Sequence, residues 1–199
     1  MKIKLLLFSS LIFFLFKPVH AKNENQEKEF LNWFFRAHQK LNGKVFYLGT
    51  LDDESIKYLR STLKPDTLYS GLSDEEDFKH FGKDKLVFSK SERMLIQKKI
   101  IALKFQNLPD QLFEGGKLLT SDSLKLYAEG NLDAWSNLNK NKIYKYFMFS
   151  RPIFLRNNTI CLFNYAQYCG FKCGIGKTAI YRKEHGRWRR LMVLSSWIS

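Results

Sequence analysis

TICLFNYAQY (residues 159–168), TAIYRK (178–183) and WRRLMVLSSWI (188–198) succeed one another in the last forty or so residues. Each run is rich in aromatic and β-branched residues and is bounded by turn residues, the composition of a β-strand. Tyr144 to Ser150 adds a fourth run, and Asn157-Asn158 and Glu184-His185-Gly186 are turn signals between runs. Residues 169–176 read as a glycine-containing loop. Together these segments predict an antiparallel meander over about residues 144–199.

Upstream the periodicity is helical. Phe30, Trp33, Phe34, Ala37 and Leu41 share one face of a predicted helix over Glu27 to Leu41, with Asn42-Gly43 as its stop. Leu31 and Phe35 widen the apolar surface, which implies cover on more than one side. Val45 to Leu51 reads as a short strand or a link. Asp53 to Leu63 is a second helix, ended by Pro65. Ser73-Asp74-Glu75-Glu76 and Ser89-Lys90-Ser91-Glu92 both have the Ser-x-x-Glu form of a capping box. The second opens a helix to about Leu103, although its apolar residues do not fall on one clean face. Gly115-Gly116 and Gly130-Asn131 are turns. The fold class expected is α+β, with N-terminal helices packed on a C-terminal antiparallel β-meander.

The first residues have another character. Lys2 and Lys4 precede an apolar run from Leu5 to Phe16, and Val19-His20-Ala21 supplies small residues where a signal peptidase reads them. The run is too short for a membrane span, which needs about 20 residues. Residues 1–21 are therefore expected to be a secretory signal peptide, and 22–199 a single α+β domain working in the periplasm or outside the cell. The net charge is +14, and the leader holds three of the lysines and no acid, which leaves +11 on residues 22–199. An exported basic chain is drawn to anionic envelope surfaces or polymers. The charges are also spread along the chain, as composition alone would place them. With no nucleic-acid-binding motif, nucleic acid is not an expected partner.

Catalytic motifs are missing. There is no Gly-x-Ser-x-Gly, no His-Glu-x-x-His and no phosphate-binding glycine loop. His38, His80 and His185 pair with no nucleophile in sequence. No catalytic residue, cofactor or metal site is assigned. Cys169 and Cys173 flank the predicted loop and are disulfide candidates, with free thiols as the alternative. Cys161 alternates with Phe163 and Tyr165 and reads as a buried thiol. Arg151, Arg156, Arg187, Trp188 and Arg190 are the residues best suited to an anion or planar ligand, because Arg offers a bidentate fork and Trp a stacking face. The competing reading is a solvated face whose Arg stems cover apolar surface.

The ordered set Ser150-Arg-Pro-Ile-Phe154, Asn164-Tyr-Ala-Gln-Tyr-Cys-Gly170, Cys173-Gly174, Gly176, Tyr181-Arg-Lys183 and Gly186-Arg-Trp188 resembles a group of exported bacterial proteins with no assigned activity. The resemblance implies an extracytoplasmic β-rich module and transfers no functional residue. Helices followed by a meander closing on Gly-x-Trp are also similar to the NTF2-like fold, which would offer a pocket on a concave sheet face. Function is expected to be non-catalytic binding at the cell envelope or exterior. The alternative is a small-molecule carrier or enzyme with a sheet-lined pocket.

Overall fold

The computed structural model describes residues 18–71, 82–120, 124, 134–170 and 172–199, and within the first helix it describes side chains from Glu24 to Arg36. Most of the leader, the Ser73 capping box with its acids, His80, Gly130-Asn131 and the His38 side chain lie outside the described residues.

The first helix, α1, spans Pro18–Asn42. It begins nine residues before the sequence pattern predicts. A cut after Ala21 would leave intact the part that carries Phe30, Phe34 and Phe35. The next helix, α2 (Asp53–Thr62), is capped by Asp52, whose Oδ1 accepts the Ser55 N–H at 2.6 Å. The helix α3 (Lys90–Ala102) has the expected capping box in full, Ser89 accepting from the Glu92 N–H and Glu92 accepting from the Ser89 N–H. A 3-10 turn over Leu103–Phe105 extends α3. A short helix, α4 (Ala134–Lys140), is absent from the sequence reading.

Nine strands are described: β1 (Val45–Leu48), β2 (Thr67–Tyr69), β3 (Lys85–Val87), β4 (Gly116–Leu119), β5 (Tyr146–Phe149), β6 (Ile153–Leu155), β7 (Ile160–Gly170), β8 (Cys173–Glu184) and β9 (Arg187–Ile198). The main sheet runs β4-β1-β5-β7-β8-β9, with β6 pairing on β7, and β2 and β3 form a separate ribbon. The meander β7-β8-β9 is antiparallel as predicted, and β5 pairs antiparallel with β7. On the other side of β5, β1 and then β4 join in parallel, which adds N-terminal strands to the C-terminal sheet.

One expectation about a loop changes, and one strand appears where the sequence assigns no element. Residues 169–176 are not a wide loop: β7 runs to Gly170 and β8 starts at Cys173. Residues 153–155 form a strand of their own. The β8–β9 turn is the two-residue hairpin His185-Gly186, with φ of 49° and 77°, the left-handed pair that suits the twist of adjoining strands.

Alternation along the long strands buries both faces of the sheet. Cys161, Phe163, Ala179, Tyr181, Trp188 and Val193 join Phe30, Leu31 and Phe35 of α1 in one core. Ile160, Leu162, Ile180 and Met192 join Leu59, Leu63, Ile96 and Ile100 of α2 and α3 in another. The architecture is therefore α1, sheet, then α2 with α3. Phe30 sets the α1 side, edge-on to Phe163 at 5.1 Å and to Trp188 at 5.2 Å between ring centroids.

Candidate functional site

The corner between β5 and β6 is built by a buried amide. Gln106, just after the 3-10 turn, donates to the Phe149 carbonyl at 3.0 Å and accepts the Arg151 N–H at 2.8 Å. Both backbone groups sit where the chain leaves the ladder, so Gln106 supplies the partners that a neighbouring strand would have given. This fixes Arg151 beside α1, where its Nη1 donates to Glu27 Oε2 at 2.8 Å.

Glu27 is 8 % exposed, and among the described residues its second oxygen, Oε1, has no hydrogen-bond partner. Burial pushes its pKa up, and the positive charge of Arg151 only partly offsets that. Glu27 and Arg151 line a pocket of about 700 Å³ between α1, the end of α3 and β6. Glu24 and Lys99 add one charge of each sign, while Leu95, Phe105 and Phe154 give it an apolar wall. Neither Glu27 nor Gln106 stands out in the sequence. Glu27 lies two residues from Glu29 in a polar stretch, and Gln106 lies in a stretch with no pattern.

The other residues singled out from sequence go to separate places. Arg156 is exposed but already engaged: it donates from Nε to Glu92 Oε1 at 2.8 Å and from Nη2 to the Val87 carbonyl at 2.7 Å. That bond is the main reason the Glu92 carboxyl is held below its ordinary range. Trp188 is 5 % exposed and packs in the α1 core, so its ring is committed to the fold. Arg187 and Arg190 are exposed on β9, with Arg187 directly after the hairpin turn. Arg151 is thus the one member of the set that lines a pocket described here. Cys169 and Cys173 stand at disulfide distance, with Cα atoms 5.1 Å apart. Cys161 is a free, buried thiol whose pKa burial raises.

The outer face of α3 explains its confused pattern. Ile96, Ile100 and Leu103 are buried in the core. Met94, Leu95, Ile101 and Phe105 project on the other side, 66 %, 40 %, 53 % and 81 % exposed. The helix has two apolar stripes, and only one serves the fold. Lys90, Lys98, Lys99 and Lys104 are exposed around the outer stripe. Glu92 is the one acid on the element, and Arg156 is bound to it.

A second cleft, of about 390 Å³, lies between the start of α2 and the sheet and is lined by Asp52, Tyr58, Asn164 and Trp197 among others. Its Asp52 carboxylate caps α2 through both oxygens, on the Ser55 N–H and hydroxyl. No family model, curated protein or solved structure matches this chain. Among the described residues, no helix is long and apolar enough to cross a membrane, and no group of three or more His, Cys, Asp or Glu is placed to hold a metal.

Proposed function

We propose that this is an exported, non-catalytic binding protein that attaches peripherally to an anionic lipid surface of the cell envelope through the outer face of α3. The observation that carries the reading is the second apolar stripe, Met94, Leu95, Ile101 and Phe105, set among Lys90, Lys98 and Lys104. Exposed apolar side chains on a lysine-rich helix favour the boundary between headgroups and acyl chains. Each lysine near an anionic surface adds about 1 kcal/mol of attraction. Of the net charge of +14, +11 remains on residues 22–199, and it draws the exported chain toward such a surface. Export is supported by the lysine-led apolar leader ending in Val19-His20-Ala21, and a Cys169–Cys173 bridge suits an oxidising compartment.

Two measurements test this. Intact mass of the protein recovered outside the cytoplasm is expected to place the N-terminus at Lys22, and a chain retaining Met1 overturns export by cleavage. Co-sedimentation with phosphatidylglycerol vesicles at low salt is expected to bind the exported chain, and phosphatidylcholine vesicles are expected to bind it weakly. Replacing Met94 and Ile101 by Ser should weaken binding about tenfold or more, given the apolar area withdrawn from lipid. Equal binding by that variant, or none by the native chain, overturns the reading.

A further inference from the structure

The pocket between α1 and α3 opens beside Phe105, at the edge of the proposed lipid-facing stripe, and its lining mixes charges in an unusual way. Two carboxylates, Glu24 and Glu27, and two cations, Lys99 and Arg151, line a partly apolar cavity of about 700 Å³, with Glu27 and Arg151 paired at 2.8 Å. A simple anion would meet both acids, and a simple cation would meet Lys99 and Arg151. A ligand carrying one charge of each sign meets neither penalty.

Glu27 sharpens the argument. It is more than nine-tenths buried, Arg151 occupies one of its oxygens, and the other has no partner among the described residues. A buried acceptor left unmatched destabilises the fold, and a donor brought by a ligand would recover that loss. An ammonium suits this place, since it brings up to three N–H donors and a charge opposite to the carboxylate. Arg151 gives one N–H to Glu27 and its side chain is 44 % exposed. The planar guanidinium has five N–H donors, so with Lys99 it forms a natural phosphate contact. Leu95, Phe105 and Phe154 then lie along the route for an apolar chain.

We propose that this pocket binds the headgroup of an aminophospholipid, with the ammonium at Glu27, the phosphate between Arg151 and Lys99, and the start of the acyl chain along Leu95, Phe105 and Phe154. The proposal rests on the lipid-surface reading for its ligand class; the pocket shares Leu95 and Phe105 with the outer stripe, but its headgroup contacts, Glu27 and Arg151, lie on α1 and at the β5–β6 corner, outside that stripe.

The test uses short-chain lipids as monomers, so no vesicle is needed. Dihexanoyl phosphatidylethanolamine and dihexanoyl phosphatidylglycerol, both below their micellar concentrations, are titrated calorimetrically into the exported protein. The ethanolamine form is expected to bind about tenfold tighter or better, equivalent to about 1.4 kcal/mol. Glu27→Gln should erase that preference, and Lys99→Gln, at an exposed position, should weaken both lipids. Should Glu27→Gln fail to fold, Lys99→Gln still decides whether the phosphate sits in this pocket. Equal affinity for the two lipids, or binding of neither, overturns the pocket proposal even when vesicle co-sedimentation persists. Preferential binding of the ethanolamine lipid by a protein that ignores vesicles would support the pocket and overturn the lipid-surface reading instead.

Discussion

The indole of Trp197 on β9 lies across the backbone of Gly176 on β8, its cross-strand partner, so closely that a Cβ at position 176 would overlap Nε1 and Cε2 of the ring. Gly174 serves the same end, since a Cβ there would sit 3.0 Å from Trp197 Cζ3. The two glycines are flat places in a strand. They let Trp197 lean toward Tyr168 on β7, with ring centroids 5.9 Å apart. Gly176→Ala should therefore displace Trp197 and cost about 1–3 kcal/mol, the usual range for overpacking. Chemical denaturation measures the loss, and Gly176→Ala combined with Trp197→Leu should recover much of it. A fully stable single variant would mean that the indole moves aside freely.

Arg156 and Glu92 join the β6–β7 turn to the start of α3. The bond lowers the Glu92 pKa, so its contribution is present above the unfolded carboxylate value and is lost as pH falls through the folded one. Arg156→Ala should cost roughly 0.5–1 kcal/mol at neutral pH, since the pair is partly solvated. The gap between variant and native protein should close in acid. A gap independent of pH would mean that the Val87 carbonyl bond, not the carboxylate, is what Arg156 contributes.

Glu27 works in the opposite sense. Its pKa is raised, so the native state holds that proton more tightly than the unfolded chain does. Stability contributed by this group falls as pH rises from the ordinary carboxylate value through the raised one. Glu27→Gln removes the titration. Its stability relative to the native protein should therefore climb with pH across that window, as read from melting temperatures at a series of pH values. A constant difference would show that Glu27 titrates normally.

The cysteines give a chemical readout. Alkylation of the unfolded, unreduced protein should label Cys161 alone, with Cys169 and Cys173 linked to each other. Folded protein should resist labelling at Cys161, which is buried and whose thiol is held protonated by burial. Cys173→Ser should cost less than about 3 kcal/mol, because the ring closed is very short. Three labelled thiols in the unfolded chain would exclude the bridge.

Position by position, the sequence determined whatever depends on near neighbours. Alternation placed β7 and β9, the Ser-x-x-Glu box placed the start of α3, and His185-Gly186 placed a hairpin turn. It also placed Cys161 in the interior and Cys169 near Cys173, since neighbouring strands bring those positions together. What only the tertiary structure decided is non-local. β1 is separated from β5 by about a hundred residues, and nothing in Val45–Leu48 announces a parallel partner. The glycines of β8 looked like loop residues because the indole they accommodate comes from the next strand. Arg156 looked available for an anion because Glu92 is 64 residues away. The second apolar stripe of α3 looked like a weak helical pattern until the core took one stripe and left the other outside. The Glu27–Arg151 pair spans 124 residues, and neither its buried carboxyl nor its pocket exists until α1 docks on the sheet. Periodicity records which side of an element is apolar, whereas charge pairing and burial depend on what the rest of the chain brings to that side.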